Sequence, residues 1–182
     1  MSVDNTAADA RRERFTTLAG GLVDPVRRYL ARRIDAHTAD DVLSEVLLVL
    51  WRRLDEVCDE EVRPWAFGVA RLCLANAQRS AQRQRRVAAK VARLDPPDRL
   101  LESDPEPDLE LNAALARLSE RDREILRLWA WEELPPREIA QVLGMTPNAV
   151  SLRLHRAKAS LAAILRQNRE VGGHGVVEGS SP

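Results

Sequence analysis

Aromatic residues are scarce in this chain of 182 residues, where they make up only 4%, and glycine occurs just eight times. A hydrophobic content of 45% excludes disorder throughout the chain. With so few aromatic side chains, the core must consist mainly of leucine, valine and alanine, a composition that suits helices better than sheets. We therefore predict an all-α protein.

Cysteines and long apolar runs are equally rare. Cys58 and Cys73 are the only cysteines, and their separation fits neither a disulfide framework nor a zinc site. We expect both to be buried thiols in a reducing compartment. The chain has no run of eighteen apolar residues and no secretory signal at its start, so the expectation is a cytoplasmic protein without membrane insertion.

A net charge of zero conceals a strong charge asymmetry. Residues 1–94 carry 17 basic and 13 acidic side chains, residues 95–112 carry one and seven, and residues 113–182 carry ten and eight. Between Arg63 and Arg93 there are eight basic side chains and no acidic one. A block of this kind repels itself unless an anion is near, so it is either a solvated helix face or a surface that follows phosphates.

The acidic segment 95–110 also holds four of the ten prolines, which is typical of an extended linker. It separates two predicted helical domains, 1–94 and 111–167. Residues 168–182 end in a Gly/Ser-rich stretch and are predicted to be a flexible tail.

Four helices are predicted in the first domain. The first covers about 9–20 and ends at the glycine pair 20–21, and the second begins at Asp24-Pro25 and reaches residue 34. After a break at 35–38, the third covers 39–54 with Asp40 and Asp41 in its first turn. The fourth covers 64–94 and includes the basic run. One face of the third helix is apolar and is expected to pack in the core. The other face carries a leucine between carboxylates and is a candidate docking surface for a basic partner, formed by Asp41, Ser44, Glu45 and Leu48.

The second domain carries the most informative pattern. One helix is predicted at 109–118. A second helix is predicted to begin after the N-cap Ser119 and to have Trp129 in its core face, and a third is predicted around Ile139. Gly144 ends that short helix with a positive φ, and Thr146-Pro147 starts the next one. This is the pattern of a helix-turn-helix. Its second helix presents candidate major-groove readers (Asn148, Ser151 and Arg153) and candidate phosphate contacts (Arg156 and Lys158).

Signals for catalysis are missing from the sequence. It contains no glycine-rich phosphate loop and no metalloprotease or hydrolase motif. We expect each of the three histidines to be a surface residue and not a metal ligand. We expect no enzymatic activity, no cofactor and no metal.

Three segments in this order resemble the extracytoplasmic-function (ECF) group of bacterial RNA polymerase sigma factors, in the sigma-70 family. They are ADDVLSEV with Leu50-Trp51, RPW with the arginine run behind it, and residues 115–165. The resemblance covers about 150 residues and departs from the family pattern at several positions, for example at Ser44, where a glutamine is usual.

The resemblance implies a non-enzymatic promoter-specificity subunit. Asp41, Ser44, Glu45 and Leu48 would bind the β′ clamp of RNA polymerase core, and the second domain would touch the β flap and read the −35 promoter element. The −10 element would be captured by residues of the fourth helix: Trp65, Arg71, Asn76, Arg79 and Arg83. Proteins of this group are often held inactive by an anti-sigma factor.

Two other classes of protein remain open from the sequence. A stand-alone helix-turn-helix regulator would bind DNA tightly without polymerase. A nucleic-acid enzyme such as a recombinase would use the same DNA-reading domain, but it needs a preorganised nucleophile or carboxylate cluster, and the acids of this chain concentrate in the proline-rich segment.

Overall fold

A computed structural model describes residues 3–91 and 109–172, and these residues form helices, short 3-10 turns and connecting loops without any strand. The all-α prediction is confirmed. The helices are α1 (Val3–Ala31), α2 (Ala36–Arg52), α3 (Val62–Val91), α4 (Leu109–Ala116), α5 (Glu120–Ala130), α6 (Pro136–Leu143) and α7 (Pro147–Gly172). Two 3-10 helices, Leu54–Glu56 and Asp59–Glu61, connect α2 to α3.

Two compact units make up the chain. The first unit comprises α1, α2 and α3 together with residues 140–145. The second unit comprises α4, α5, α7 and the start of α6. The predicted acidic linker, 95–110, lies outside the described residues except for its last two, which begin α4. The predicted start of the flexible tail at residue 168 is wrong, because α7 continues to Gly172. The rest of the predicted tail lies outside the described residues.

The predicted break at the glycine pair 20–21 is wrong, because α1 is one continuous helix that passes through both glycines and Pro25. A proline inside a helix costs about 3 kcal/mol, and a glycine about 1 kcal/mol. The apolar stripe that continues across the break is buried: Ala19, Leu22, Val26, Tyr29 and Leu30. Each larger side chain among these contributes about 1.5–3 kcal/mol on burial, so their packing outweighs the unfavourable backbone residues.

The break predicted at 35–38 exists but lies about three residues earlier, at 32–35, since α1 ends at Ala31 and α2 begins at Ala36. Asp35 is its N-cap and accepts hydrogen bonds from the backbone N–H of Thr38 (3.0 Å) and from its hydroxyl (2.8 Å). These two hydrogen bonds lower the pKa of the Asp35 carboxyl. Asp40 and Asp41 therefore lie one turn later than predicted, outside the first turn of α2.

The core of the first unit lies where α1, α2 and α3 pack on one another. Tyr29 of α1 and Phe67 of α3 are fully buried and meet edge to face, with ring centroids 5.4 Å apart. Phe15 and Trp51 form a second such pair at 5.3 Å. The few aromatic residues of this unit thus join its helices, while aliphatic side chains fill most of the core.

The second unit packs α4 and α5 against α7. Ser119 caps α5 by accepting a hydrogen bond from the backbone N–H of Asp122 at 3.2 Å, as the sequence predicts. Arg123 donates to the carbonyl oxygens of Leu115 (2.9 Å) and Ala116 (3.0 Å), which lie at the end of α4. These bonds connect the last carbonyls of α4 to a side chain of α5 and so fix the corner between the two helices.

Candidate protein-binding and DNA-binding surfaces

The face of α2 opposite the core carries the four predicted docking residues, Asp41, Ser44, Glu45 and Leu48, and all four are exposed. Leu48 keeps 46% of its surface accessible. The hydroxyl of Ser44 donates to the carbonyl of Asp40 at 2.9 Å, which turns this short side chain back onto its own helix. The surface is an acidic rim around one apolar side chain.

Glu45 also acts on a residue of α3. Burial, together with the charge and hydrogen bond of the Glu45 carboxylate, raises the pKa of the Cys73 thiol to about 11. Cys73 is buried as expected, but the same expectation is wrong for Cys58. Cys58 is exposed because it lies in the loop between the two 3-10 helices, and its thiol donates to Glu60 at 2.7 Å.

The surface of α3 is basic along most of its length. The predicted −10 contacts Arg71, Asn76, Arg79 and Arg83 are all exposed, and Trp65 is half-buried near the start of the helix. The Oδ1 atom of Asn76 accepts a hydrogen bond from Arg79 at 2.6 Å. Since residues seven apart lie close together around a helix, Trp65, Leu72 and Arg79 share one face.

Leu72 is a feature of this face that was not predicted. It is the most exposed large hydrophobic side chain among the described residues, at 60%. Its position one turn before Asn76, in a helix that otherwise exposes arginines, is readable from helical spacing alone. The basic surface therefore contains one apolar contact point.

Two arginines of α1 hold the segment that leads into α3. The guanidinium of Arg14 donates to the carbonyl oxygens of Leu54 and Val57, each at 2.7 Å, and to the carboxylate of Asp59 at 2.6 Å. Arg11 donates to the carbonyl of Trp51 at 2.7 Å and also pairs with Asp55. No motif in the sequence marks these contacts, because they join residues about forty positions apart.

The predicted helix-turn-helix has the local geometry expected of its turn. Gly144 ends α6 with φ +62°, and the N–H of Met145 donates to the carbonyl of Ala140 at 2.9 Å, a bond typical of a glycine C-cap. Thr146 caps the next helix, where its hydroxyl accepts from the N–H of Ala149 at 3.3 Å. Pro147 is the first residue of α7.

The outer face of α7 presents Asn148, Ser151 and Arg156, all exposed. The Ser151 hydroxyl donates to the carbonyl of Pro147 at 3.0 Å. The same face carries His155 and Leu152, which is 52% exposed. On the opposite side of the helix, the side chains of three residues are buried: Val150, Leu154 and Ala157. Leu152 had no predicted role in binding DNA.

The two basic residues Arg153 and Lys158, both predicted DNA contacts, already have side-chain partners within the second unit. Arg153 is half-buried and pairs with Asp122 of α5, with the nitrogen and oxygen 3.0 Å apart. Lys158 is exposed, and its ammonium lies 3.2 Å from the ring centroid of Trp129. The prediction that Trp129 belongs to the core of α5 is wrong, since 41% of its surface is exposed. The ammonium group of Lys158 covers one face of its exposed ring.

Within the described ranges 3–91 and 109–172, no group of three or more His, Cys, Asp or Glu side chains is placed to hold a metal ion. A search of the same ranges finds no helix that is both long and apolar enough to cross a membrane.

The described residues thus form an all-α protein that has the turn of a helix-turn-helix between α6 and α7 and an exposed basic surface on α3. The family model described as "Sigma-70, region 4" matches residues 108–161. The ECF RNA polymerase sigma factor SigL of Mycobacterium tuberculosis is 32% identical over 145 residues, which cover 73% of this chain and 77% of SigL. The chain therefore belongs to the ECF RNA polymerase sigma factors of the sigma-70 family.

A second relative agrees with this assignment, and a solved structure shares the fold. The RNA polymerase sigma factor NccH of Alcaligenes xylosoxydans is 29% identical over 185 residues, covering 92% of this chain and 97% of NccH. The sigma factor RpoE of Bartonella quintana, solved in complex with the anti-sigma factor NepR, shares the fold with a TM-score of 0.52 at 18% identity, covering 85% of this chain and 96% of RpoE. The family relationship supports the role of an RNA polymerase sigma factor, a class of proteins that are not enzymes.

Proposed function

We propose that this chain binds RNA polymerase core and directs initiation at promoters by recognising their −10 and −35 elements. In this proposal the α2 face contacts the β′ clamp, α3 captures the −10 strand, and the second unit contacts the β flap and reads the −35 duplex through α7. The polymerase core performs the chemistry of transcription.

The observation that carries the proposal is the surface of α3. All six arginines between residues 63 and 86 are exposed, and that stretch contains no acidic side chain. Because DNA presents a dense row of phosphates, a protein that tracks the backbone needs such a surface. Trp65 lies half-buried near one end, where its ring is available to stack on an unpaired base.

The α2 face supports the contact with polymerase. Leu48 is exposed and has carboxylates one and two turns before it on the same helix, Glu45 and Asp41. An apolar centre with a charged rim is the usual arrangement of a protein interface. Its acidic character excludes DNA as the partner of this face and favours a basic protein surface.

The α7 face supports the contact with duplex DNA. Asn148 and Ser151 lie in the first two turns of the helix, which is the part that enters the major groove in helix-turn-helix proteins. Arg156 lies one turn further on and is exposed, in reach of the phosphates. We also propose an anti-sigma factor as a partner, because a relative with this fold was solved with one.

The proposal is tested by run-off transcription. Purified chain is added to sigma-free bacterial RNA polymerase core on genomic fragments from its own organism, and complex formation is followed by gel filtration. We expect a 1:1 complex and discrete transcripts that require the chain. Sequence-specific DNA binding by the chain alone, with neither complex nor transcripts, would instead identify a stand-alone regulator.

Variants separate the polymerase contact from the DNA contacts. Leu48→Arg places a positive charge at the centre of the α2 face, and we expect the complex with core to be lost on gel filtration. Ala31→Arg is the matched control, since Ala31 is exposed at the C-terminal end of α1, where a positive charge favours the helix. Equal complex formation by both variants would remove α2 from the polymerase interface.

A further inference from the structure

Among the described side chains of α7, Leu152 is the one large apolar residue that is exposed on the outer face. The other aliphatic residues in the same part of the helix, Val150 and Leu154, are buried against the second unit. Leu152 points the other way and keeps 52% of its surface in solvent. Packing of the folded chain therefore does not explain why this position is a leucine.

The neighbours of Leu152 on that face are hydrogen-bonding or charged. Asn148 precedes it by one turn, and His155 and Arg156 follow it by one turn, all exposed. Leu152 is the sixth residue of α7, so it lies in the second turn, next to the residues that reach base edges in a helix-turn-helix complex. A side chain at this place faces the floor of the major groove when α7 is seated there.

Only one group on the floor of the major groove is apolar. Adenine, guanine and cytosine present nitrogen and oxygen atoms there, while thymine adds its C5-methyl group. When a leucine covers a polar base edge, that edge loses its bound water and gains no hydrogen bond in return. Against a thymine methyl group, the same leucine buries apolar surface on both sides.

From these observations we infer that Leu152 is a specificity-determining residue that contacts the C5-methyl group of a thymine in the −35 element. The inference rests on the proposed function, because it requires α7 to read duplex DNA. Leu152 would thus select a methyl group in the major groove, a feature of the DNA that none of the polar residues on α7 selects.

The test removes the methyl group from the DNA. The full-length chain, bound to polymerase core, is titrated with the promoter duplex found by run-off transcription. Each thymine of the −35 element is replaced in turn by uracil, which differs only in lacking the methyl group. We expect about fourfold weaker binding at one position, the effect of one buried methyl group, and no weakening there for Leu152→Ala.

Ser160→Ala is the control, because Ser160 is exposed on the same helix about two turns after Leu152 and is not one of the residues placed against DNA. It should keep the fourfold ratio between thymine and uracil in the −35 element. Equal binding of all uracil duplexes, an unchanged ratio in Leu152→Ala, or a −35 element without thymine would each overturn the inference. Failure of the complex to bind any promoter would overturn the proposed function as well, whereas the other outcomes leave it standing.

Discussion

The guanidinium of Arg153 donates to the carboxylate of Asp122 at 3.0 Å, and this bond joins α7 to the start of α5. The same carboxylate accepts the hydroxyl hydrogen of Ser119 at 2.6 Å. Arg153 was predicted as a reader of the −35 element, yet it already has an anionic partner within its own unit. If Arg153 contacts DNA, it must exchange the carboxylate of Asp122 for a base or a phosphate. If it keeps its bond to Asp122, its role is to hold α7 in place.

Substitution of each partner distinguishes a DNA contact from a purely structural pair. For Arg153→Ala we expect at least fivefold weaker binding of the −35 duplex, the lower range for loss of a good base contact, with binding to polymerase core unchanged. Asp122→Asn leaves Arg153 in place and should not weaken DNA binding. Equal losses in the two variants, measured by titration of the holoenzyme, would show that the pair acts only by fixing α7.

The acid stability of the second unit depends on Asp122. The hydrogen bond from Ser119, followed by the contact with Arg153, lowers the pKa of the Asp122 carboxyl below its ordinary value of 3.8. A carboxyl whose pKa is lower in the folded state stabilises the protein above the unfolded value, and this stabilisation is lost as the pH falls through the folded value.

We therefore expect the free energy of unfolding of the wild type to exceed that of Asp122→Asn at about pH 6, and the difference to shrink below about pH 4. Urea unfolding followed by circular dichroism at both pH values measures the difference. A gap between the two proteins that stays constant with pH would contradict the role of the carboxylate charge.

Arg14 is expected to be a major stabiliser of the segment between α2 and α3. It bonds two carbonyl oxygens and one carboxylate of that segment, and hydrogen bonds to a charged donor contribute about 1.5–3 kcal/mol each when buried. Because the side chain is one-third exposed, we expect Arg14→Ala to lower the free energy of unfolding by only about 2 kcal/mol in total.

The control for Arg14 is its neighbour two positions earlier. Arg12 pairs only with Asp9 of its own helix among the contacts seen, and both side chains are largely exposed, so Arg12→Ala should change stability by less than about 0.5 kcal/mol. Hydrogen exchange then locates the effect: protection of amides in 54–61 should fall in Arg14→Ala alone. Similar stability of the two variants would remove the assigned role of Arg14.

Local signals predicted much of this architecture correctly. The cap at Ser119, the positive φ of Gly144 and the start of α7 at Pro147 each depend on residues within a few positions of one another. Such short-range effects are readable without knowledge of the fold. The family motifs, which are also local, led to the correct class of protein.

Long-range packing caused the errors. The glycine pair and Pro25 are local helix-breaking signals, but the buried stripe of α1 overrides them. The positions of Trp129 and Cys58 depend on which neighbours cover them, and helical spacing alone does not specify those neighbours. The roles assigned to the surface residues of α2, α3 and α7 stay predictions until the binding experiments are done.

Replacement by alanine is expected to change the free energy of unfolding in opposite directions at Gly144 and Gly20. Gly144 has φ +62° and Gly20 lies inside α1, and a Cβ atom added at either position meets nothing within 4 Å. Only backbone conformation therefore decides the effect. We expect Gly144→Ala to lower the free energy of unfolding by about 1 kcal/mol, and Gly20→Ala to raise it by about 0.5–1 kcal/mol.

Urea denaturation of the two glycine variants measures both effects, and Gly144→Asn adds a further check because asparagine tolerates a positive φ better than alanine. It should be less destabilised than Gly144→Ala. Destabilisation by Gly20→Ala would show that the glycine pair serves a conformation other than the continuous helix.

The two cysteines are expected to differ sharply in reactivity. Cys58 is exposed, whereas Cys73 is buried and its thiol has a pKa raised to about 11. Because the thiolate is the reactive form, Ellman's reagent at about pH 8 should modify one thiol per native chain quickly and the second only after denaturation. Cys58→Ser should abolish the fast phase, and Cys73→Ser should leave it intact. A fast phase of two thiols in the native wild type would mean that α2 and α3 separate readily enough to expose Cys73.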